Sequence, residues 1–213
     1  MKLKLVIGLL AVLLAAPATF AAPADDEAAY TQAIEKRTAD IISALDLKDE
    51  AKAARVHDAI VNQYRALRDW QEKNDAAKKA KDAPKQEELK AERKALHDQF
   101  LSKLSPELSP EQIDVIKDKL TYNKLKVTYD AYVQIIPTLT DEQKAKVLDF
   151  LKQAREEAMD GTSSEEKSAI FKKYKGKINN YFVAQGIDEK KARQEWEKKR
   201  KLEKQPATNP AGD

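Results

Sequence analysis

Apolar residues recur at three- and four-residue spacing along almost the whole chain, and no segment shows the strict alternation of a half-buried strand. The spacing predicts a first helix over residues 25–45, with Tyr30, Ile34, Ile41 and Leu45 on one face. A second begins near Asp49 and carries Val56, Ile60, Tyr64 and Leu67. Between Trp70 and Leu89 only alanines interrupt the charges, so that stretch is expected to bury no face. It reads as a charged helical hairpin tip, broken at Pro84. The return helix carries Leu89, Leu96, Phe100 and Leu104, and Pro106 and Pro110 bracket the following turn.

The second half repeats the theme. One stripe holds Ile113, Ile116 and Leu120, and the next holds Ala131, Tyr132 and Ile135 and stops at Pro137. Val147, Leu148, Leu151 and Ala158 share a face, as do Ile170, Tyr174, Ile178, Tyr181 and Phe182. Gly161 and Gly186 stand where left-handed helix stops are expected. A last helix has only Ile187, Ala192 and Trp196 as anchors and is expected to fray. The fold class is therefore all-α, a single-domain bundle of about seven or eight helices.

Two stretches 31 residues apart share one pattern, Leu108-Ser109-Pro110-Glu111-Gln112 and Leu139-Thr140-Asp141-Glu142-Gln143. A hydroxyl three positions before a glutamine can cap the helix start, while the amide returns to the cap's own N–H. Pro110 and the acids Glu111, Asp141 and Glu142 suit the first turn of a helix. Thr162 with Glu165, or Ser163 with Glu166, offers the same device to the next helix. Capping accounts for the pattern without any ligand.

The chain ends carry other signals. Lys2 and Lys4 precede an uncharged, mostly apolar run over residues 5–16, with small residues at Thr19 and Ala21. Residues 1–21 thus read as a signal peptide, with a run too short to span a bilayer, which takes about 20 apolar residues. The all-helical domain is assigned to residues 22–204, and residues 205–213, with Pro206, Pro210 and Gly212, to a disordered tail. The expectation is an exported protein without a membrane span in its mature form, either periplasmic or secreted.

Composition then removes chemistries. The chain has no cysteine, so neither disulfides nor thiol catalysis is available. Loss of Lys2 and Lys4 takes the formal net charge from +3 to +1, which gives no global field for a polyanion, and no nucleic-acid partner is expected. The two histidines, His57 and His97, lack the Glu-x-x-His and His-Glu-x-x-His spacings. No metal or other cofactor is expected, no phosphate-binding glycine loop is present, and no catalytic residue is nominated. Lysines at 172, 173, 175 and 177, and eight basic against four acidic side chains over residues 189–204, read mainly as solvated helix faces.

What remains is an aromatic and amide cluster. Tyr122, Tyr129, Tyr132, Tyr174 and Tyr181 are five of the seven tyrosines, and Asn123, Asn179 and Asn180 lie beside them. Flat rings with a polar edge and nearby amides suit a sugar or peptide, although the same spacing makes Tyr174 and Tyr181 ordinary core residues. The candidate ligand-binding residues are Tyr122, Lys175, Asn179, Asn180 and Tyr181.

Four stretches carry a family resemblance. They are Val115-Ile116-Lys117-Asp118-Lys119-Leu120-Thr121-Tyr122, Ile135-Ile136-Pro137-Thr138-Leu139-Thr140, Ala154-Arg155-Glu156-Glu157-Ala158-Met159-Asp160 and Lys173-Tyr174-Lys175-Gly176-Lys177-Ile178-Asn179-Asn180-Tyr181. The chain resembles an uncharacterised exported bacterial family, a domain of unknown function to which sugar binding has been attributed. The likeness is densest over residues 104–186 and supplies no site residues. A weaker likeness joins the paired Leu-Ser/Thr-x-Glu-Gln stretches to small envelope chaperones of the Leu-Thr-x-x-Gln type. Three functions follow in order: a non-enzymatic binding protein for a glycan, a chaperone for unfolded protein clients, and a polysaccharide hydrolase. Oligomeric state is not legible in the residues.

Overall fold

In the computed structural model, which describes residues 23–203, every regular element is an α-helix. The proposed signal peptide and the tail over 205–213 lie outside the described residues. The helices are α1 (Pro23–Leu45), α2 (Glu50–Ala80), α3 (Ala83–Leu104), α4 (Pro110–Leu120), α5 (Lys124–Ile135), α6 (Asp141–Ala158), α7 (Ser164–Ala184) and α8 (Glu189–Glu203).

Their starts follow from local chemistry. Asp49 and Asp82 accept the backbone N–H three residues on, from Lys52 and Lys85, and open the two arms of the hairpin, α2 and α3. Ser109 and Thr140 each form the full reciprocal cap with Gln112 and Gln143. The third start differs in detail. Ser163 caps α7 through the Glu166 N–H, but the Glu166 carboxylate accepts instead from the Thr162 N–H at 2.9 Å.

Apolar stripes then meet in two main cores. Ile41, Val56, Ile60, Phe100, Leu104, Ile116 and Leu120 join α1–α4, and Met159 from beyond α6 enters the same cluster. Tyr132, Ile135, Val147, Leu151, Phe171, Ile178 and Phe182 join α5–α7. Ile187, Ala192 and Trp196 press α8 against this second core, so the helix expected to fray is regular through Glu203. α4 bridges the halves by contacting both α1 and α6.

Three local expectations are corrected. The stretch after Trp70 does bury a face: Asn74 and Ala77 are buried beside Trp70 and Leu89, and the Trp70 indole donates to the Leu89 carbonyl at 2.7 Å. Small residues on α2 let α3 approach closely, so alanine and asparagine serve where large apolar side chains were sought. The chain turns at Lys81, whose φ is +56°, and Pro84 lies inside the first turn of α3, where its missing N–H costs nothing. Gly186 has the left-handed φ of +70°, whereas Gly161 does not. At Gly161 the requirement is space, because a Cβ there would stand 2.7 Å from Lys167 Cγ.

Candidate functional site

α1 and α2 run antiparallel, pinned by the Tyr30 hydroxyl donating to the Tyr64 carbonyl and by His57 Nε2 against Glu35 at 2.8 Å. Between them and the joint of the two bundle halves lies a cavity of about 250 Å³. One stripe of α2, Ile60, Gln63, Tyr64, Leu67 and Gln71, forms its long wall, as helical spacing dictates. α1 adds Tyr30 and Arg37, the α4–α5 turn adds Tyr122, and the α6–α7 connection adds Gly161 and Thr162. Lys167, from the first turn of α7, completes the lining.

Lys167 is the unusual member. Its residue is only 5% exposed, its Nζ donates to the Leu120 carbonyl at 2.7 Å, and no carboxylate of the described residues reaches it within the 4 Å of an ion pair. That carbonyl is one of the orphan acceptors at the C-terminal end of α4, where the helix dipole favours a cation. Burial nevertheless dominates, with repulsion from Arg37 adding to it, and the ammonium pKa is held down at about 8. An ammonium has three donors, and this one spends one of them on protein.

Tyr122 is unusual in its backbone. Thr121 caps α4, and the Tyr122 and Asn123 N–H groups return to the Lys119 and Asp118 carbonyls at 3.1 and 2.8 Å. This is the Schellman arrangement, in which the residue after the cap is left-handed and most often glycine. Here it is a tyrosine at φ +57°. A bulky residue in that region is strained by about 1–3 kcal/mol. The residue is 47% exposed, and the Lys167 ammonium lies 5.4 Å from the ring centroid. Tyr64, on the opposite wall, is half-buried, and desolvation pushes its hydroxyl up to about 12, so it stays a neutral donor.

Beyond Gln71 and Thr162, which line both, the cavity continues into an open groove of about 910 Å³ between the α2–α3 hairpin and α6–α7. The Thr162 hydroxyl lies 3.1 Å from the Gln71 amide oxygen and forms the sill between the two. The groove wall is a charge network. His97 Nδ1 meets Asp160 at 2.7 Å, His97 Nε2 meets Glu156 at 3.2 Å, and Lys117 pairs with Glu156 at 2.7 Å. Hydrogen bonds to Asp160 and then Glu156 raise His97 to about 9, while His97 and Lys117 hold Glu156 at about 2. Both imidazole nitrogens are committed, so neither is poised to take a proton from a substrate. Among the described residues no group of three or more histidines and carboxylates is placed to hold a metal ion.

The five nominated residues do not share one cavity. Tyr122 lines the site just described. Asn179 lines a separate shallow cleft with Val183, Gly186 and Ile187, Asn180 and Lys175 stand exposed on α7, and Tyr181 is half-buried edge-on to Phe150 at 6.3 Å. Gln63, Gln71, Arg37 and Lys167 were not nominated. For Gln63 and Lys167 a signal existed: each is a polar residue on an apolar stripe, Lys167 with Phe171, Tyr174 and Ile178, and Gln63 with Ile60 and Leu67.

Among the described residues no helix is long and apolar enough to cross a membrane. Comparison with curated proteins gives no match. A family model described as "Protein of unknown function (DUF3826)" matches residues 31–202, which span every helix from the middle of α1 to the end of α8. The chain belongs to that family of unknown function.

Proposed function

We propose that the protein binds a carbohydrate, without converting it, in the cavity between α1, α2 and the α4–α5 turn. The observation that carries this reading is Tyr122. A tyrosine stands left-handed where glycine would be free of strain, and its ring lines a cavity walled by Tyr30 and Tyr64. Aromatic faces with amides at their edges, here Gln63 and Gln71, are what a sugar ring requires: apolar stacking on one side and directed hydrogen bonds on the other. The reading includes export, on the strength of Lys2, Lys4 and the apolar run over residues 5–16.

The chaperone alternative draws less support. The two Leu-Ser/Thr-x-Glu-Gln stretches are occupied as reciprocal caps, and the large apolar side chains exposed among the described residues, Tyr122, Val127, Val183 and Leu202, are spread over three helices and a turn. The test is a glycan array followed by calorimetry with Tyr122→Ala, Gln71→Ala and the double variant Asn179→Ala/Asn180→Ala. Loss of binding in the first two with the third unchanged supports the cavity. The reverse pattern moves the site to the C-terminal end of α7, and retention in all three ends both assignments.

A further inference from the structure

The polar groups of the cavity are not evenly spread along it. Glu35, which bonds His57, fixes the register of α1 on α2, so Arg37 lies toward the Ile60 end of the long wall. Glu72 and Asp75 line the other end, past Gln71, and the Gln71 amide donates to Asp75 at 2.7 Å. Ile60 to Gln71 is 11 residues, a separation of about 16 Å. The cavity therefore has a cationic end and an acidic, hydrogen-bonding end.

At the cationic end the charges are unbalanced. Arg37 has no carboxylate within 4 Å among the described residues, and Lys167 meets only a carbonyl. The acids nearest Lys167 are already committed. Asp160 is held by His97 and by Gln63 at 3.4 Å, and Glu166 by Arg93 at 2.8 Å and by the Thr162 N–H. Burying a lysine without a counter-charge is costly, and a protein core normally avoids it. Two cations facing one cavity with spare donors are a receptor for an anion, and a guanidinium presents the fork that matches a carboxylate.

Resting on the carbohydrate reading, we infer that the sugar bound here is acidic, a uronic acid unit whose carboxylate sits between Arg37 and Lys167. Tyr122 covers the ring, and Gln71, too far along the wall to reach the same ring, meets the hydroxyls of the next unit. The open groove past the Thr162 sill gives a longer chain somewhere to run, so the unit in the cavity is a terminal one.

The probes are glucuronate and galacturonate, as monosaccharides and short oligomers, against glucose and galactose, titrated calorimetrically into the purified protein at pH 7. The acid is expected to bind at least about tenfold more tightly than its neutral counterpart, the worth of one charge-assisted hydrogen bond. Arg37→Gln, a change at an exposed position, should abolish that preference. Lys167→Met should do the same, and circular dichroism reports whether it folds. Equal affinity for acid and neutral sugars, or a preference that survives in Arg37→Gln, overturns the inference. If neutral sugars bind and Tyr122→Ala weakens them while acids gain nothing, the cavity reading stands and the acidic one falls. If no sugar binds, or binding ignores both Tyr122→Ala and Gln71→Ala, both fall.

Discussion

His97 Nδ1 and Asp160 Oδ2 lie 2.7 Å apart across 63 residues of chain, and the contact ties α3 to the joint between α6 and α7. Asp160 is almost buried there. Its other oxygen faces the Gln63 amide, and its backbone carbonyl accepts from Arg93 at 2.9 Å. One residue thus gathers α2 and α3 onto the α6–α7 joint behind the cavity, and its charge is matched by a histidine that must be protonated to donate from both nitrogens.

That requirement fixes a pH response. The folded pKa of about 9 exceeds the ordinary 6.5, so the stabilisation from His97 is complete below pH 6.5 and lost as pH rises through 9. Lys167 acts in the opposite sense: its folded pKa of about 8 lies below 10.5, so the penalty of burying its charge is relieved only above pH 8. Urea unfolding should therefore show stability falling by about 2 kcal/mol between pH 6.5 and 8, then levelling off. His97→Gln should remove the fall. An unchanged slope in that variant would mean that His97 carries no such coupling.

The helices were legible because their information is local. Ser109 with Gln112 and Thr140 with Gln143 lie within one turn of each other, and the buried positions Tyr174, Ile178 and Phe182 can be counted off the sequence. The site was not legible for the opposite reason. Lys167 meets Leu120 across 47 residues and Thr162 meets Gln71 across 91, and no spacing rule connects them. Gly161 resembled a helix stop because the same residue serves a left-handed turn and a crowded contact. The backbone φ and the position of the Lys167 stem tell the two apart.

Tyr122 offers a trade between stability and binding. Its ring is half in solvent, so removing it loses little core, while glycine at φ +57° relieves the left-handed strain. Tyr122→Gly is expected to hold or raise stability by up to about 1 kcal/mol, and to remove sugar binding. A denaturation midpoint that drops by more than this would show that the ring is structural, contrary to the role assigned to it.

Arg155 tests how α4 is held to α6. Its guanidinium is buried and reaches Asp114 at 2.5 Å and Asp118 at 2.9 Å, two acids one turn apart on α4 that repel each other without it. Lysine offers a point charge instead of a fork. Arg155→Lys should cost about 1–2 kcal/mol and Arg155→Ala about 3 kcal/mol, read as shifts in urea midpoint. If the two variants behave alike, the two-pronged contact contributes nothing beyond charge.

The same substitution at two glycines should have opposite signs. Gly176 lies in the middle of α7 with nothing within 4 Å of where a Cβ would stand. There, alanine removes only the entropy penalty of a helical glycine, and Gly176→Ala is expected to stabilise by about 0.5–1 kcal/mol. At Gly161 the added methyl would meet Lys167 Cγ at 2.7 Å and the Ala158 carbonyl at 3.1 Å. The carbonyl belongs to the last residue of α6 and cannot retreat, so the lysine stem must. Lys167 then loses its line to Leu120 and to the cavity. Gly161→Ala should destabilise by about 1–3 kcal/mol, roughly 2–10 °C in Tm for a chain of this size, and remove any preference for an acidic sugar. Thermal unfolding of both variants, with glucuronate titrated into each, separates the outcomes. A Gly161→Ala protein that keeps wild-type stability and the acid preference would show that the Lys167 stem has room to move, and that its fixed position is not what makes the cavity cationic.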